Sequence, residues 1–330
     1  MKKVLVTGPD GLLGSNLVRE LLARNYQVRA MVQAGRKTGT LDGLDLEIVE
    51  GDLLNPDALD AAFAGVEAVI HVAALTAVWP SRSPLHHKIN VEGTENVIQA
   101  ALKHGVSRMV HVGSASSFGF GPKDAPGNET SPGRSAKYQL DYIDTKLRGQ
   151  EVVLEAVEEH GLPAVVVNPT FMIGAHDTGP SSGTLILAAA QGKVKAYTYG
   201  GKNWVYVKDV AVGICLALEK GRIGECYILG HENLSYREAL NLIAEVVGGK
   251  KPGFGAPSFV VKAVGALGSL MSKITGKAPA LSYAMAWIST DGHYFSPQKA
   301  VVELGLPQTP LKVAIAEALQ WFKENGYLEK

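Results

Sequence analysis

Short apolar runs alternate with longer amphipathic stretches through the first half of this 330-residue chain. The short runs are rich in β-branched residues and end at glycine or polar residues, a pattern that predicts buried strands. The longer stretches repeat their apolar positions every three or four residues, which predicts helices. Strands are predicted at residues 4–7, 27–32, 46–49, 68–72, 108–112 and 164–167, and helices at residues 12–23, 91–103 and 138–159.

This alternation predicts an α/β fold, in which a doubly wound parallel sheet is covered by helices on both faces. After Pro169, glycine and proline become frequent and the pattern loosens. We therefore expect residues 1–168 to form the sheet domain and residues 169–330 to form mainly a smaller C-terminal lobe, with segments that return to the sheet. In this second half, helices are predicted at residues 236–247 and 311–324, and short strands at residues 205–210 and 226–229.

The composition narrows the class of protein. Apolar residues make up 46% of the chain, enough for a buried core, and the formal net charge of zero gives no indication of a nucleic-acid partner. Cys215 and Cys226 lie in no CxxC or Cys/His cluster, so we predict no metal site and expect a reducing, cytoplasmic location. The first apolar run breaks at Gly8, too early for a signal sequence, and the run at residues 259–271 is too short to span a membrane.

A glycine-rich loop separates the first strand from the first helix. Gly8, Gly11 and Gly14 are spaced as Gly-x-x-Gly-x-x-Gly. Such a loop presents backbone N–H groups to a phosphate: the first glycine permits the tight turn, the second permits close approach of the pyrophosphate, and the third permits close packing of helix on strand. We therefore predict a dinucleotide site here, with contacts from Gly8, Asp10, Gly11, Leu12 and Leu13.

The end of the second strand bears on the choice between NAD and NADP. An acidic residue there is typical of proteins that bind the unphosphorylated ribose of NAD, but Gln33 occupies this region and Arg36 and Lys37 follow it. Two cations favour a 2′-phosphate, so NADP is preferred over NAD. Asp52 and Leu53 follow the third strand, and the Asp52 carboxylate is predicted to accept a hydrogen bond from the adenine amino group rather than to cap the next helix, which Asn55 caps better.

Tyr142 and Lys146 stand one helical turn apart, so an ammonium group lies on the same helix face as a phenol. A neighbouring cation lowers the pKa of a tyrosine, which would let it exchange a proton with a hydroxyl or carbonyl group. Ser114 follows the fifth predicted strand and would deliver a hydroxyl to the same cleft, where it would orient a substrate oxygen. The histidines, including His71 and His111, form no metal-like group and are interpreted as structural or solvated.

Taken together, these motifs resemble the extended short-chain dehydrogenase/reductase superfamily, also called the NAD-dependent epimerase/dehydratase family. Its cofactor fingerprint is similar to the loop at Gly8, its catalytic pair to Tyr142-x-x-x-Lys146, and its catalytic serine to Ser114. The branch most similar is that of the dihydroflavonol 4-reductase-like and hopanoid-associated epimerase-like proteins. The resemblance implies a Rossmann-type fold.

The resemblance also implies further roles. It assigns cofactor contacts to the stretch containing Val72, Ala73 and Ala74 and to Asn168 and Thr170, and it implies that Tyr142 and Lys146 contact the cofactor, with Lys146 binding the nicotinamide ribose. It further implies a homodimer formed through the two long helices predicted at residues 91–103 and 138–159.

Three hypotheses of function follow. The first is an NAD(P)-dependent oxidoreductase that moves a hydride between nicotinamide and a ketone or secondary alcohol by a Ser–Tyr–Lys mechanism. The second is a nucleotide-sugar epimerase with a tightly bound cofactor. The third is a non-catalytic dinucleotide-binding protein, which has no need of a complete Ser–Tyr–Lys set. The apolar stretches 185–187 and 259–271 suggest an apolar substrate wall, although core or dimer packing would explain them equally well.

Overall fold

A seven-stranded, fully parallel sheet forms the centre of the protein, in a computed structural model that describes residues 2–133 and 135–328. Its strand order is β10-β6-β5-β4-β1-β2-β3. The chain reverses its direction of travel across the sheet between β1 and β4, and this is where open α/β sheets bind ligands. The strands are β1 (Lys3–Thr7), β2 (Gln27–Val32), β3 (Glu47–Glu50), β4 (Ala68–His71), β5 (Arg108–Val112), β6 (Ala164–Pro169) and β10 (Cys226–Leu229).

Helices cover both faces of this sheet. Five shorter helical turns accompany them among the described residues, and one of these, a π-helical turn at Lys88–Glu92, leads directly into α4. The helices are α1 (Leu12–Ala23), α2 (Pro56–Phe63), α3 (Pro84–His87), α4 (Gly93–His104), α5 (Asp141–His160), α6 (Thr184–Ala190), α7 (Val207–Lys220), α8 (Tyr236–Val247), α9 (Ser258–Thr275), α10 (Tyr283–Ile288) and α11 (Leu311–Glu324). The predicted α/β fold with a doubly wound parallel sheet is confirmed.

Alternate residues of each strand feed two separate cores. Val4 and Val6 of β1 lie in the core beneath α1 and α7, whereas Leu5 points to the opposite core beneath α2, α4 and α5. All three side chains are fully buried. This two-sided burial explains why the strands read as continuous apolar runs rather than as alternating ones.

The second half of the chain returns to the sheet and also builds the smaller lobe. Strand β10 pairs with β6, and α7 packs against α1. The lobe contains a second sheet, in which the central strand β9 pairs with three others. Its strands are β7 (Phe171–Ile173), β9 (Gly201–Tyr206), β11 (Glu232–Ser235) and β13 (Gly292–His293), beside a separate pair, β8 (Ala196–Tyr197) with β12 (Phe254–Gly255).

One predicted strand is wrong. Residues 205–210 are not a single strand, because β9 ends at Tyr206 and α7 begins at Val207. Val207, Val210 and Ile214 are buried at helical spacing, and the carboxylate of Asp209 is held inside by Thr309, whose backbone N–H and hydroxyl donate to it at 2.7 and 2.9 Å. The β-branched composition of this stretch indicated a strand, but tertiary packing outweighs that propensity.

The two apolar stretches that were predicted as a possible substrate wall lie elsewhere in the fold. Leu185–Leu187 lies within α6, where Ile186 is fully buried in the core. Residues 259–271 lie within α9, an amphipathic helix on the outside of the lobe. Among the described residues, no helix has the length and apolarity needed to cross a membrane.

Candidate active site

A long cleft runs along the carboxyl ends of β1, β4, β5 and β6 and continues into the smaller lobe. Its cavity volume is about 1840 Å³, larger than the roughly 300–1,000 Å³ of an ordinary small-molecule pocket. A dinucleotide and a second molecule would fit side by side. All but one of the sequence-predicted site residues line it: Gly8, Asp10, Gly11, Leu12, Leu13, Gln33, Arg36, Lys37, Asp52, Leu53, Val72, Ala73, Ala74, Ser114, Tyr142, Lys146 and Thr170.

The glycine loop is built so that only glycine fits at two of its three positions. Gly8 has a φ of +66°, and a Cβ there would come within 2.7 Å of the Cα of Ala73. A Cβ on Gly14 would collide with the carbonyl oxygen of Gly8. At Gly11 the nearest atom would be 4.0 Å away, so this position is open toward the cleft. The three glycines thus perform the turn, the close packing and the open approach that their spacing predicted.

The start of α1 is suited to an anion. Gly11 is its N-cap residue, no side chain caps it, and its first turn contains no acidic residue. The first N–H groups of a helix have no partner within the helix and carry partial positive charge. Because these groups open into the cleft, the loop fits the pyrophosphate of a dinucleotide.

Beyond the ends of β2 and β3, polar groups line the part of the cleft where an adenosine would lie. The Gln33 side-chain amide donates to Asp52 Oδ2 at 3.3 Å, and Asp52 Oδ1 accepts from the N–H of Leu54 at 2.9 Å. Arg36 is 64% exposed, and its Nε lies 3.5 Å from Asp10 Oδ2. Asn55, and not Asp52, caps α2, as predicted.

Ser114 and Tyr142 both line the other side of the cleft. Ser114 follows β5 and caps a short 3-10 helix (Ala115–Ser117), and its Oγ lies 2.8 Å from Ser116 Oγ. Tyr142 lies in the first turn of α5, and Lys146 follows it by one turn. The Lys146 side chain is buried, and its ammonium group donates to the carbonyl oxygen of Val112 at 2.6 Å.

The electrostatics correct one expectation. Burial raises the pKa of Tyr142, and the neighbouring Ser114 hydroxyl lowers this pKa in opposition. Lys146 contacts the Val112 carbonyl instead of the phenol, so the expected lowering of the Tyr142 pKa by Lys146 is not seen in this geometry. Burial lowers the pKa of Lys146 itself to about 8.

Asn168 does not reach the cleft, and its expected contact with a cofactor is therefore not seen. Strand β6 continues to Pro169, which keeps the Asn168 side chain inside the sheet, fully buried. Its amide donates to the carbonyl oxygen of Ser114 at 3.0 Å and to Gln150 Oε1 at 2.6 Å. A Cβ on Gly113 would come within 2.6 Å of this amide, which explains the glycine directly before Ser114. Asn168 therefore helps to position Ser114 through a hydrogen bond to its main-chain carbonyl group.

Three cleft residues were missed by the sequence reasoning. Arg19 on α1 donates to the carbonyl oxygens of Ser15 at 2.9 Å and Thr40 at 2.8 Å, and its position one turn after the glycine loop is a usable signal. Lys202 lies 4.7 Å from the centre of the Phe171 ring, and burial lowers its pKa to about 8. Burial likewise lowers the pKa of His293, to about 3. The last two come from the irregular half of the chain, where no motif marks them.

An apolar wall lines the cleft and packs in part against Tyr142, but its residues differ from the predicted stretches. It is formed around the start of α5, by β7 and by α10. The residues are Val78, Leu140, Phe171, Met172, Met285 and Ile288. Among residues 2–133 and 135–328, no group of three or more His, Cys, Asp or Glu side chains could hold a metal ion.

Comparison with known proteins assigns the family. Residues 4–230 match the NAD dependent epimerase/dehydratase family, and the chain belongs to it. A Synechocystis sp. protein provisionally named a dihydroflavonol 4-reductase is 33% identical over 98% of this chain and 95% of its own length. Sterol demethylase protein B of Methylococcus capsulatus is 33% identical over 98% of this chain and 99% of its own.

Solved structures agree with this assignment. The crystal structure of gox2253 matches with a TM-score of 0.88 at 33% identity and covers both chains fully. PA4631, described as a nucleoside-diphosphate-sugar epimerase from Pseudomonas aeruginosa, matches with a TM-score of 0.83 at 27% identity over 99% of each chain. The protein is therefore an NAD(P)-dependent enzyme of the extended short-chain dehydrogenase/reductase type, a class that includes reductases, epimerases and dehydratases.

Proposed function

We propose that the protein is a reductase or dehydrogenase that interconverts a ketone and a secondary alcohol, with Ser114, Tyr142 and Lys146 as its catalytic residues. One observation carries the proposal: the Ser114 and Tyr142 hydroxyls lie near each other in the cleft, a buried ammonium group lies one helical turn after Tyr142, and an apolar wall lines the cleft beside them. A substrate oxygen placed between the two hydroxyls would accept a hydrogen bond from each.

The protonation states favour reduction near neutral pH. Because burial raises its pKa, Tyr142 keeps its proton and can donate it to the substrate oxygen as that oxygen gains negative charge. Ser114 donates a hydrogen bond to the same oxygen and stabilises that charge. Lys146, cationic below about pH 8, would stabilise the phenolate left on Tyr142 once its ammonium group turned from the Val112 carbonyl oxygen toward the phenol. The bound nicotinamide supplies the hydride.

Different residues of the cleft are suited to different parts of the cofactor. We infer that the N–H groups after Gly11 and the Arg19 guanidinium hold the pyrophosphate and that Asp52 accepts from the adenine. Val72, Ala73, Ala74 and Thr170 line the path between the two ends. NADP is preferred over NAD, because Gln33 is neutral and Arg36 and Lys37 both line the cleft.

The substrate side of the cleft favours an apolar ketone of lipid-like or aromatic shape. The wall is dominated by aliphatic and thioether side chains such as Met172, Met285 and Ile288. The chain's relatives include proteins named for such compounds, among them the sterol demethylase protein B of Methylococcus capsulatus. We propose that the lobe of residues 169–330 selects this substrate.

The test is the Tyr142→Phe variant, assayed for NADPH oxidation against a panel of apolar ketones and for cofactor binding by fluorescence. Loss of a positioned proton donor should lower turnover by about 10²–10⁴-fold. Cofactor affinity should stay nearly unchanged, because the ring and its packing remain. A variant that turns over at the wild-type rate would refute the assignment of Tyr142.

A nucleotide-sugar epimerase is the second candidate, and one observation favours it. Lys202 lies in the substrate half of the cleft, where its ammonium group could pair with a phosphate. In this case the cofactor would remain bound through purification, and sugar would be converted without net NAD(P)H consumption. A non-catalytic binding protein is the third candidate, and the convergence of Ser114 and Tyr142 speaks against it.

We also propose a homodimer formed through the outer faces of α4 and α5, and a cytoplasmic location. The exposed residues of these two helices include Glu95, Glu151 and Glu155, with Arg148 pairing to Glu155 at 2.6 Å, so a dimer here would rely on polar contacts. Both cysteines are free, as expected in a reducing compartment. Light scattering in low and high salt tests the dimer, since polar contacts weaken with salt.

A further inference from the structure

Helix α9 reverses the usual arrangement of an amphipathic helix on a globular protein. Its large apolar side chains point outward, and several are more than half exposed, including Phe259 at 75% and Ile274 at 72%. At 3.6 residues per turn they share an arc of roughly 140° along the helix. The exposed apolar residues of this face are Phe259, Val260, Val264, Leu267, Leu270, Met271 and Ile274.

The inward side of α9 is made of small residues. Gly265 and Gly268 face the segment that leads into α10. A Cβ on Gly265 would come within 2.9 Å of the Ser282 carbonyl oxygen, and a Cβ on Gly268 would come within 2.5 Å of the Leu281 carbonyl oxygen. Val261 and Ser272 complete the buried side. Because this close packing needs no large side chain, the apolar face contributes nothing to the core. A contiguous exposed apolar patch of this kind marks an interaction site.

The charge of the surrounding segment indicates what this face meets. Residues 246–290 contain five lysines, Lys250, Lys251, Lys262, Lys273 and Lys277, and no acidic residue. A second copy of the same face would bring these lysines together without carboxylates from the segment to balance them. An anionic surface, by contrast, attracts each lysine while the apolar side chains are withdrawn from water.

We propose that the apolar face of α9 docks on an anionic lipid surface, with the helix lying in the plane of the interface. The helix is 18 residues long and therefore about 27 Å, enough to present its apolar residues along one line. Lys262 and Lys273 lie beside the apolar arc. Long lysine side chains at such a border can extend to lipid phosphates while their methylene groups stay near the acyl chains, although the Lys262 ammonium group here lies 4.8 Å from the centre of the Trp287 ring. This is surface attachment, not a span.

The docked face adjoins the cleft. Helix α9 packs on α10, and Met285 and Ile288 of α10 form part of the apolar wall beside Tyr142. One layer of helix thus separates the lipid surface from the substrate end of the cleft. The consequence that the substrate is a ketone or alcohol dissolved in the bilayer rests on the proposed function, whereas the docking itself does not.

The experiment is flotation of the full chain with vesicles. We expect binding to phosphatidylcholine vesicles containing about one-third phosphatidylglycerol, weakened by salt, and much less binding to phosphatidylcholine alone. The double variant L267Q/I274Q should lower the vesicle partition coefficient roughly tenfold or more. Val302 is equally exposed, at 71%, and lies outside α9, so V302Q is the matched control and should bind like the wild type. K262Q/K273Q should lose binding to the anionic vesicles selectively.

Three outcomes would overturn the proposal: no binding to anionic vesicles, equal losses for L267Q/I274Q and V302Q, or a dimer in light scattering that L267Q/I274Q dissolves. The last result would identify a second copy as the occupant of this face. Reduction of a small water-soluble ketone, measured in parallel, separates the two proposals. Activity without vesicle binding refutes the docking alone, and vesicle binding without activity refutes the proposed function alone.

Discussion

Replacement of Asn168 by alanine tests whether this residue contacts the cofactor or only positions Ser114. The Asn168 amide donates two hydrogen bonds in a fully buried place, to the Ser114 carbonyl oxygen at 3.0 Å and to Gln150 Oε1 at 2.6 Å. In the alanine variant Gln150 Oε1 loses its donor, whereas the Ser114 carbonyl oxygen loses one of two and keeps the N–H of Ser117 at 3.0 Å. At about 1–3 kcal/mol for the stranded Gln150 oxygen and about 1 kcal/mol for the lost bond to Ser114, we expect a loss of about 2–4 kcal/mol in the free energy of unfolding.

The functional effect should appear in turnover rather than in cofactor affinity. Ser114 loses the support behind its carbonyl group, so its hydroxyl is less well oriented and kcat should fall by roughly tenfold or more. The dissociation constant of NADPH should stay within about twofold, since Asn168 does not line the cleft. Denaturant unfolding, steady-state kinetics and a fluorescence titration give the three quantities.

Thr170→Ala is the matched control, because Thr170 lies two residues along the chain and does line the cleft. We expect this variant to weaken NADPH binding with little loss of stability. The reasoning would be refuted if Asn168→Ala raised the NADPH dissociation constant more than about tenfold at unchanged stability, because the side chain would then contact the cofactor directly.

Three further predictions follow from the cleft. Gly14→Ala should weaken NADPH binding about tenfold or more, because its Cβ collides with the loop carbonyl, whereas Gly39→Ala, with 3.8 Å of room, should bind normally; equal affinities would contradict the loop geometry. The rate of reduction should fall as the pH rises past about 8, where Lys146 loses its charge. An active Lys146→Arg variant should show no such fall, because arginine stays charged. If both proteins had the same pH profile, the fall would come from a group other than Lys146. Arg36→Ala/Lys37→Ala should raise KM for NADPH about tenfold and leave that for NADH unchanged, and equal changes for both would exclude a role in reading the 2′-phosphate.

Local patterns predicted the sheet half well. Strands β2 and β5 and helix α1 have the predicted limits, because each is a buried strand or an amphipathic helix whose apolar positions follow the expected period. Most of the cofactor cleft could be predicted for the same reason, since strand ends of a parallel sheet converge at one edge.

The remainder depends on contacts that are distant in sequence. The family resemblance assigned Asn168 a cofactor contact, but β6 extends past the predicted end at residue 167 to Pro169, and the Asn168 side chain stays inside the sheet. Lys202 reaches the substrate end of the cleft only through the pairing of β9 with β7 and β13, which no periodicity encodes. The outward face of α9 was indistinguishable from core in the sequence, because burial depends on which side meets the rest of the fold.

The packing of α7 on α1 ties the two halves of the chain into one unfolding unit. Arg24 of α1 pairs with Glu219 of α7 at 3.1 Å, and Arg108 at the start of β5 donates to the Leu218 carbonyl at 3.1 Å. A fragment ending at residue 168 would lack α7 and β10. It would therefore expose the apolar side of α1 and an unpaired edge of β6. A chimera designed to change the substrate specificity should therefore replace segments of the smaller lobe before residue 207 or after residue 229, and it should keep residues 207–229, which contain α7 and β10.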